Sequence, residues 1–284
     1  MLMNHICDLH THSCFSDGTC TPAEIIDLAV TAGLSAVALT DHNTVDGLSA
    51  FLAAAEGKPL LAVPGTEIST SWNGKELHIG GLFLKPEDYS AVTGFLEVIN
   101  IRKEESNRRL IHALQNAGYE LDYDIILQSH PKGTVNRAVI AAALLEKGYV
   151  PSVKEAFRTL LSSKNGYYIP PERISAFDAI AFLSSIHAVP VLAHPFLNLS
   201  EAELRQFLTD AKKYGLAAME TNYSSYSSET TDLAARIAAE FGLLQSGGSD
   251  FHGGNKPDIS LGTGKGDLHI PAYFAAKLQE VCRK

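Results

Sequence analysis

The chain has few cysteines, and none of them sit in a pair. Cys7, Cys14, Cys20 and Cys282 form no C-x-x-C motif, and 284 residues are too many to depend on a disulfide scaffold. A reducing cytoplasm is the expected compartment. No uninterrupted apolar run reaches about 18 residues, so no membrane span is expected. The opening stretch MLMNHICDLH lacks a basic segment followed by a long apolar one, which argues against a secretory signal. Positive charge is also short: 23 Lys and Arg face 32 Asp and Glu, a net charge of −9. That balance disfavours a long groove tracking a nucleic-acid backbone. It does not disfavour small anionic substrates, because bound divalent cations make an acidic site locally positive. The 45% hydrophobic and 19% charged content suits a chain that buries a full core, as one large domain or one domain with an insertion.

The first third alternates strand and helix. Ile6 to Leu9 is short and apolar. A helix follows from Pro22 to about Ala32, with Thr21 as N-cap, Glu24 in the first turn and Gly33 as its stop. SAVALT (Ser35–Thr40) reads as a strand, Val45 to Glu56 as a helix and PLLAVPGTEI (Pro59–Ile68) as a third strand. Asn73-Gly74 between two alternating runs predicts a hairpin. From about Tyr89 to Ser163 the pattern is helical, with Leu110, Ile111, Leu114 and Ala117 at helical spacing. Alternation then resumes through VPVLAH (Val189–His194), LAAMET (Leu216–Thr221) and LLQSGGSD (Leu243–Asp250), separated by helices near Ser175–Ile186, Ser200–Tyr214 and Ser228–Phe241. Repeated β/α units imply a parallel barrel or a doubly wound sheet, with the helical middle as an insertion.

Histidine is where this sequence is rich. In CDLHTHSCFSDGT, His10 and His12 alternate along a strand, so both face one side and can chelate one ion. His42 follows the second strand, Glu67 ends the third, and His78 lies in the second arm of the hairpin. His194 ends VPVLAHP, and Asp250 and His252 end LLQSGGSDFH. Six of the eleven histidines therefore sit where the active face of a parallel β/α fold forms, which predicts a metal site. Mixed imidazole and carboxylate donors suit Zn²⁺, Mn²⁺ or Fe²⁺. The candidate ligands are His10, His12, Asp17, His42, Glu67, His78, His194, Asp250 and His252. At three or four ligands per ion they imply two or three ions, more than a structural zinc needs. Cys14 lies near this set and reads as a small apolar residue.

The set DLHTHSCFSDGT, ALTDHNTVDG, VPGTEIS, ELHIGGLF, VLAHP and GGSDFHGG resembles the PHP (polymerase and histidinol phosphatase) family of metal-dependent phosphoesterases. The likeness runs from Asp8 to about Gly264 and is greatest to the branch of nucleotide phosphatases and 5′–3′ exoribonucleases. It implies a distorted (β/α)7 TIM-like barrel formed by residues 1–88 and 174–284, with a helical insertion over residues 89–173 capping the substrate. It implies one ion on His10, His12, Glu67 and Asp250, a second sharing Glu67 with His78 and His194, and a third on Asp17, His42 and His252. Glu67, Asp250, His194 and His252 then form the catalytic centre, and Asp41 orients a ligand. Two ions sharing Glu67 would acidify a water held between them and draw charge from the phosphoryl oxygens.

Branch members carry an Arg-Pro-His element in the insertion that helps bind phosphate. Here Arg137 matches, while Ala138 and Val139 stand in place of the proline and histidine. Arg137 is the expected phosphate clamp, with Lys164, Tyr167 and Tyr168 as further candidates for the cleft between insertion and barrel. The expected reaction is phosphate release from a small nucleotide such as a 3′,5′-bisphosphonucleotide. Shortening of oligonucleotides from a 5′ end is the alternative, along with a histidinol-phosphatase-like monoesterase. An amidohydrolase-type carbonyl hydrolase fits less well, because the strands that would supply a bridging lysine offer none. A non-catalytic, metal-sequestering domain is the remaining class. No membrane partner is expected, and the oligomeric state is not legible.

Overall fold

The structure, a computed structural model, describes residues 6–129 and 135–282. Residues 1–5 of the N-terminal stretch read for a leader and residues 130–134 of the expected helical insertion lie outside them. Strands β1 (Cys7–Asp8), β2 (Ala36–Leu39), β3 (Leu61–Trp72), β4 (Lys75–Leu82), β6 (Val189–Leu192), β7 (Ala218–Tyr223) and β8 (Leu244–Gly248) follow one another in that order in a single sheet. The two-residue β5 (Ile174–Ser175) pairs with β3 off this path. Backbone bonds from Leu9 N to Gly247 O (3.0 Å) and from Asp250 N to His10 O (2.9 Å) bring the last strand back to the first. The result is a nearly closed, seven-stranded barrel-like sheet surrounded by helices, as the sequence predicts.

Alternation along the strands sorts the core into two layers. Ala36 and Ala38 of β2 and Val189 and Val191 of β6 fill the lumen, while Val37, Leu39 and Leu192 face the outer helices. Around the barrel lie α1 (Pro22–Thr31), α2 (Leu48–Ala55), α7 (Ala176–Ser185), α8 (Glu201–Ala211) and α9 (Ser228–Glu240). The expected start of α1 is present as a full capping box between Thr21 and Glu24. A final helix, α10 (Tyr273–Cys282), was not read from the sequence. It packs Phe274, Ala275 and Leu278 into the lumen cluster.

β4 runs antiparallel to both β3 and β6, so the barrel is not wholly parallel. The reversal is made at Asn73-Gly74, where φ is 49° and 75°, the pair of left-handed residues a tight hairpin needs. Gly74→Ala is expected to cost about 1–2 kcal/mol, the penalty of a Cβ in the left-handed region, seen as a lower urea midpoint with an unchanged slope.

Between β4 and β5 run α3 (Tyr89–Asn116), α4 (Tyr123–Gln128), α5 (Arg137–Glu146) and α6 (Val153–Thr159). They have an apolar cluster of their own, including Leu110, Leu114, Ile140, Leu144 and Leu161. The first half of α3 instead packs Val92, Leu96 and Ile99 into the barrel's outer core. One helix of 28 residues, about 42 Å long, thus spans both clusters.

Candidate metal centre and anion cavity

The predicted residues come to one place, most of them from segments just past strand ends, but Glu67 and His78 from within β3 and β4, because β3 runs on to Trp72 instead of ending near Ile68. The regular part of β1 ends at Asp8, so His10 and His12 lie on the segment just beyond it rather than within a strand, and their backbone is bonded to Asp250 and Phe251 beyond β8. His42 and Glu67 form a parallel bridge just past β2. All nine predicted ligands belong to at least one group of mutually close donor atoms. These groups are His12, Asp17, His42 and His252; His10, Glu67 and His194; His10, His12 and Asp250; and His42, Glu67 and His78. The grouping departs from the implied partition: His12 also falls with the Asp17 group, His42 also falls with Glu67 and His78, His194 falls with His10 and Glu67 rather than with His78, and Glu67 is not grouped with His10, His12 and Asp250.

Glu67 is the hub. Its Oε1 lies 2.8 Å from His78 Nδ1 and 3.0 Å from His194 Nε2. Its Oε2 lies 2.9 Å from His42 Nδ1, 3.2 Å from His10 Nε2 and 3.4 Å from His12 Nε2. Burial pushes this carboxyl up, but the imidazoles of His10, His78 and His42 more than offset it and hold Glu67 well below the usual range. Burial pushes His12 the other way, and its neighbours His252 and His42 add to the depression, which favours the neutral ring, with one nitrogen lone pair to offer a cation. Asp250 points Oδ1 at His12 Nε2 (3.2 Å), while Oδ2 accepts from Tyr223 Oη (2.8 Å) and Lys256 Nζ (2.6 Å). Asp17 lies 3.2 Å from His252 Nε2 and 3.8 Å from His42 Nε2.

These residues fit divalent cations on a test internal to the fold. Four buried side-chain polar atoms of the described residues have no hydrogen-bond partner. Three of them are in this cluster: His12 Nδ1, His42 Nδ1 and Glu67 Oε2. Buried atoms without partners are costly, and here they converge with carboxylates on shared points. His42 Nδ1 and Glu67 Oε2 are close enough to pair yet unaligned for a hydrogen bond. His194 and Asp250 also adopt positive φ (28° and 58°), a conformation that costs a non-glycine residue free energy and collects at functional sites.

Supporting groups surround the donors, and of these Asp41 alone has a role legible in the sequence. Glu220, on β7, sits 2.8 Å from His10 Nδ1 through Oε1 and accepts the His194 amide at 2.6 Å through Oε2, so one carboxylate orients two ring-bearing residues. Its only signal was its place near the end of a strand. Fully buried Asp8 accepts from the Ser249 amide (2.8 Å) and hydroxyl (2.5 Å) and from the Gly262 amide (2.8 Å). Asp41 does not contact a candidate ligand by hydrogen bond. It accepts from the Ser13 amide and from the Ser13 and Ser16 hydroxyls, holding the turn that carries Asp17.

A cavity of about 170 Å³ opens beside the cluster, lined by Asp17, His42 and His78 on the barrel side and by Arg137 and Tyr168 on the helical side. Arg137, at the start of α5, lies over the Tyr168 ring at 4.4 Å. Tyr167 packs against the helical cluster. Lys164 is exposed on a 3-10 turn and does not line this cavity.

Imidazole and carboxylate donors at one end of a barrel, beside a cation-bearing cavity, define a metal-dependent phosphoric ester hydrolase. The chain belongs to the PHP-domain family, whose model matches residues 8–170. It is 30% identical over 246 residues to a 5′-3′ exoribonuclease of Haemophilus influenzae, covering 86% of this chain and 89% of that one. It is likewise 30% identical over 248 residues to a 3′,5′-nucleoside bisphosphate phosphatase of Chromobacterium violaceum, covering 86% of each. The solved structure of a protein classed as a metal-dependent phosphoesterase, from Bifidobacterium adolescentis, superposes with a TM-score of 0.87 at 26% identity, covering 98% of this chain and 96% of that chain. No helix of the described residues is long and apolar enough to cross a membrane.

Proposed function

We propose that this phosphoesterase releases the 3′-phosphate of a small nucleotide, with a 3′,5′-bisphosphonucleotide as the type substrate and a 5′-nucleotide as product. The observation that carries the reading is the continuity of one cavity from the donor cluster to Arg137. A second reading, stepwise shortening of short RNA from its 5′ end, draws support from the exoribonuclease relative. The acidic chain and the small cavity favour the nucleotide. Free thiols suit the cytoplasm as its compartment.

In this reading the nine donors hold two or three ions of Mn²⁺, Zn²⁺ or Fe²⁺. Such ions supply Lewis acidity toward phosphoryl oxygens and bring the pKa of water toward neutrality. The chain's own part is positioning. Glu67 presents one oxygen to each half of the cluster, and Asp250 is fixed from behind by Tyr223 and Lys256 so that Oδ1 faces inward. Glu220 sets the ring of His10. Residues 89–173 form the cap, and Arg137 projects from it to receive phosphate through a planar fork of donors.

The manganese-supplied enzyme should release phosphate from adenosine 3′,5′-bisphosphate and leave 5′-AMP. Inertness toward that substrate, with 5′-phosphorylated RNA shortened instead, would transfer the assignment to the second reading. Arg137→Ala should raise KM about 10-fold, the scale of a lost charge-assisted contact, with a smaller change in kcat.

A further inference from the structure

The sheet alone does not settle where His42 sits. β2 ends at Leu39, and His42 meets β3 through one isolated bridge at Glu67. Yet the ring falls in two donor groups at once, with His12, Asp17 and His252 on one side and with Glu67 and His78 on the other. The next residue, Asn43, is 1% exposed and has both backbone groups and both ends of its side chain bonded. Its amide donates to the Glu67 carbonyl at 2.9 Å, half of the bridge that places His42. Its Oδ1 accepts from the Ser69 amide at 2.9 Å, and its Nδ2 donates to Ser69 Oγ at 3.1 Å. Its carbonyl accepts from Asn100 Nδ2, in the middle of α3, at 3.0 Å. Ser69 lies two residues beyond Glu67 on β3 and stands opposite His78 in the register with β4. One asparagine thus ties together the backbone that carries His42, Glu67 and His78. It does so at φ 51°, a left-handed conformation that asparagine tolerates better than most residues.

We propose that Asn43 is a positioning residue of the metal centre, holding His42 where its ring can share an ion with Glu67 and His78, and that Asn100 makes α3 part of the same grip. The proposal rests on His42 being a metal ligand and adds the device that keeps it one. Asn43 acts through His42, with which it shares a peptide bond. Without the two bonds to Ser69, the loop is free to exchange its left-handed residue for a more favourable conformation. The His42 ring would then swing away from one of its two groups. Groups that orient a ligand are worth about 10- to 100-fold in metal affinity. The Asn100 bond carries this to the helix that spans both apolar clusters. Linkage makes the effect reciprocal: an ion that fixes His42 must steady α3, and a loosened α3 must weaken the ion.

The test uses the full chain with Mn²⁺ as the probe. Calorimetry reads affinity, inductively coupled plasma mass spectrometry reads metal content, and hydrogen exchange reads the middle turns of α3. Asn43→Gly keeps the left-handed backbone and loses both side-chain bonds, so it should weaken one Mn²⁺ site by about 10-fold. Asn43→Asp keeps an acceptor for the Ser69 amide and should recover most of that loss. Asn100→Ala, a change a helix accepts readily, reads the grip from the other side. It should weaken Mn²⁺ by about 5-fold and remove the slowing of exchange that Mn²⁺ brings to the middle of the wild-type α3. Loss of affinity in Asn43→Gly alone would overturn the part given to α3. Unchanged affinity in both variants would overturn the positioning role, even if the metal-free Asn43→Gly protein unfolds at lower urea, because Asn43 would then serve the fold only. His42→Ala separates this from the ligand reading. If it loses an ion while Asn43→Gly and Asn100→Ala bind normally, the ligand reading stands and the positioning role falls. If His42→Ala keeps its full metal content, both fall.

Discussion

Glu67→Gln is expected to lower kcat by at least about 100-fold and to strip bound metal, because groups that merely support a ligand already cost 10- to 100-fold when changed. The substitution preserves shape and removes charge. That charge is what the surrounding histidines report: His10, His12, His42, His78 and His194 all lie within 3.4 Å of one Glu67 oxygen or the other. A neutral amide would place an NH₂ donor against at least one of these sets, opposing any cation there. Metal content by inductively coupled plasma mass spectrometry and kcat with adenosine 3′,5′-bisphosphate measure the two effects separately. Circular dichroism should be unchanged, since the barrel core lies in other residues. Full metal content with full turnover in Glu67→Gln would sink the assignment of this residue as the shared ligand.

Much of this centre was legible because strands have a period of two and end on a common face. H-x-H at residues 10 and 12 needed no long-range information, and His42, Glu67, His194 and Asp250 could each be placed at the end of an apolar run. Which donors share a point was less legible, because it depends on ring rotamers and on how far each strand end projects. His12 and His42 each join two groups for that reason. Supporting carboxylates were least legible. Asp41 could be read as a supporting group from its place beside His42, but Asp8 and Glu220 look like ordinary strand-end acids in one dimension, and their roles come from partners up to 254 residues away, as between Asp8 and Gly262. The cavity shows the same limit. Arg137 could be matched to a motif, but Lys103, Arg173 and Glu76 are single charges in one dimension until the fold sets them in one wall. Lys164, chosen for nearness in sequence to the junction, lies exposed on a 3-10 turn and is not among the residues lining that cavity.

Gly248→Ala is expected to be the most damaging single-methyl change in the barrel, and the reason lies in how β8 meets β1. A Cβ on Gly248 would stand 2.0 Å from the His10 Cβ and 2.7 Å from the His10 backbone nitrogen, so no side-chain rotation relieves it. The next residues are bound tightly to β1: Ser249 donates its amide and hydroxyl to Asp8, and Asp250 donates its amide to the carbonyl of His10. Moving β8 outward therefore weakens these bonds and shifts His10 and Asp250 together. Overpacking of this kind costs about 1–3 kcal/mol, and more where backbone must move. Gly80→Ala is the matched control. It lies in the same sheet, but its added methyl would meet nothing closer than Val191 at 3.7 Å. Gly248→Ala should lower the urea midpoint and metal affinity together, while Gly80→Ala should change both little. Equal behaviour of the two variants would mean that the barrel closes loosely at β1 and β8. The donor cluster would then owe its geometry to the ligands' own contacts rather than to the strands that carry them.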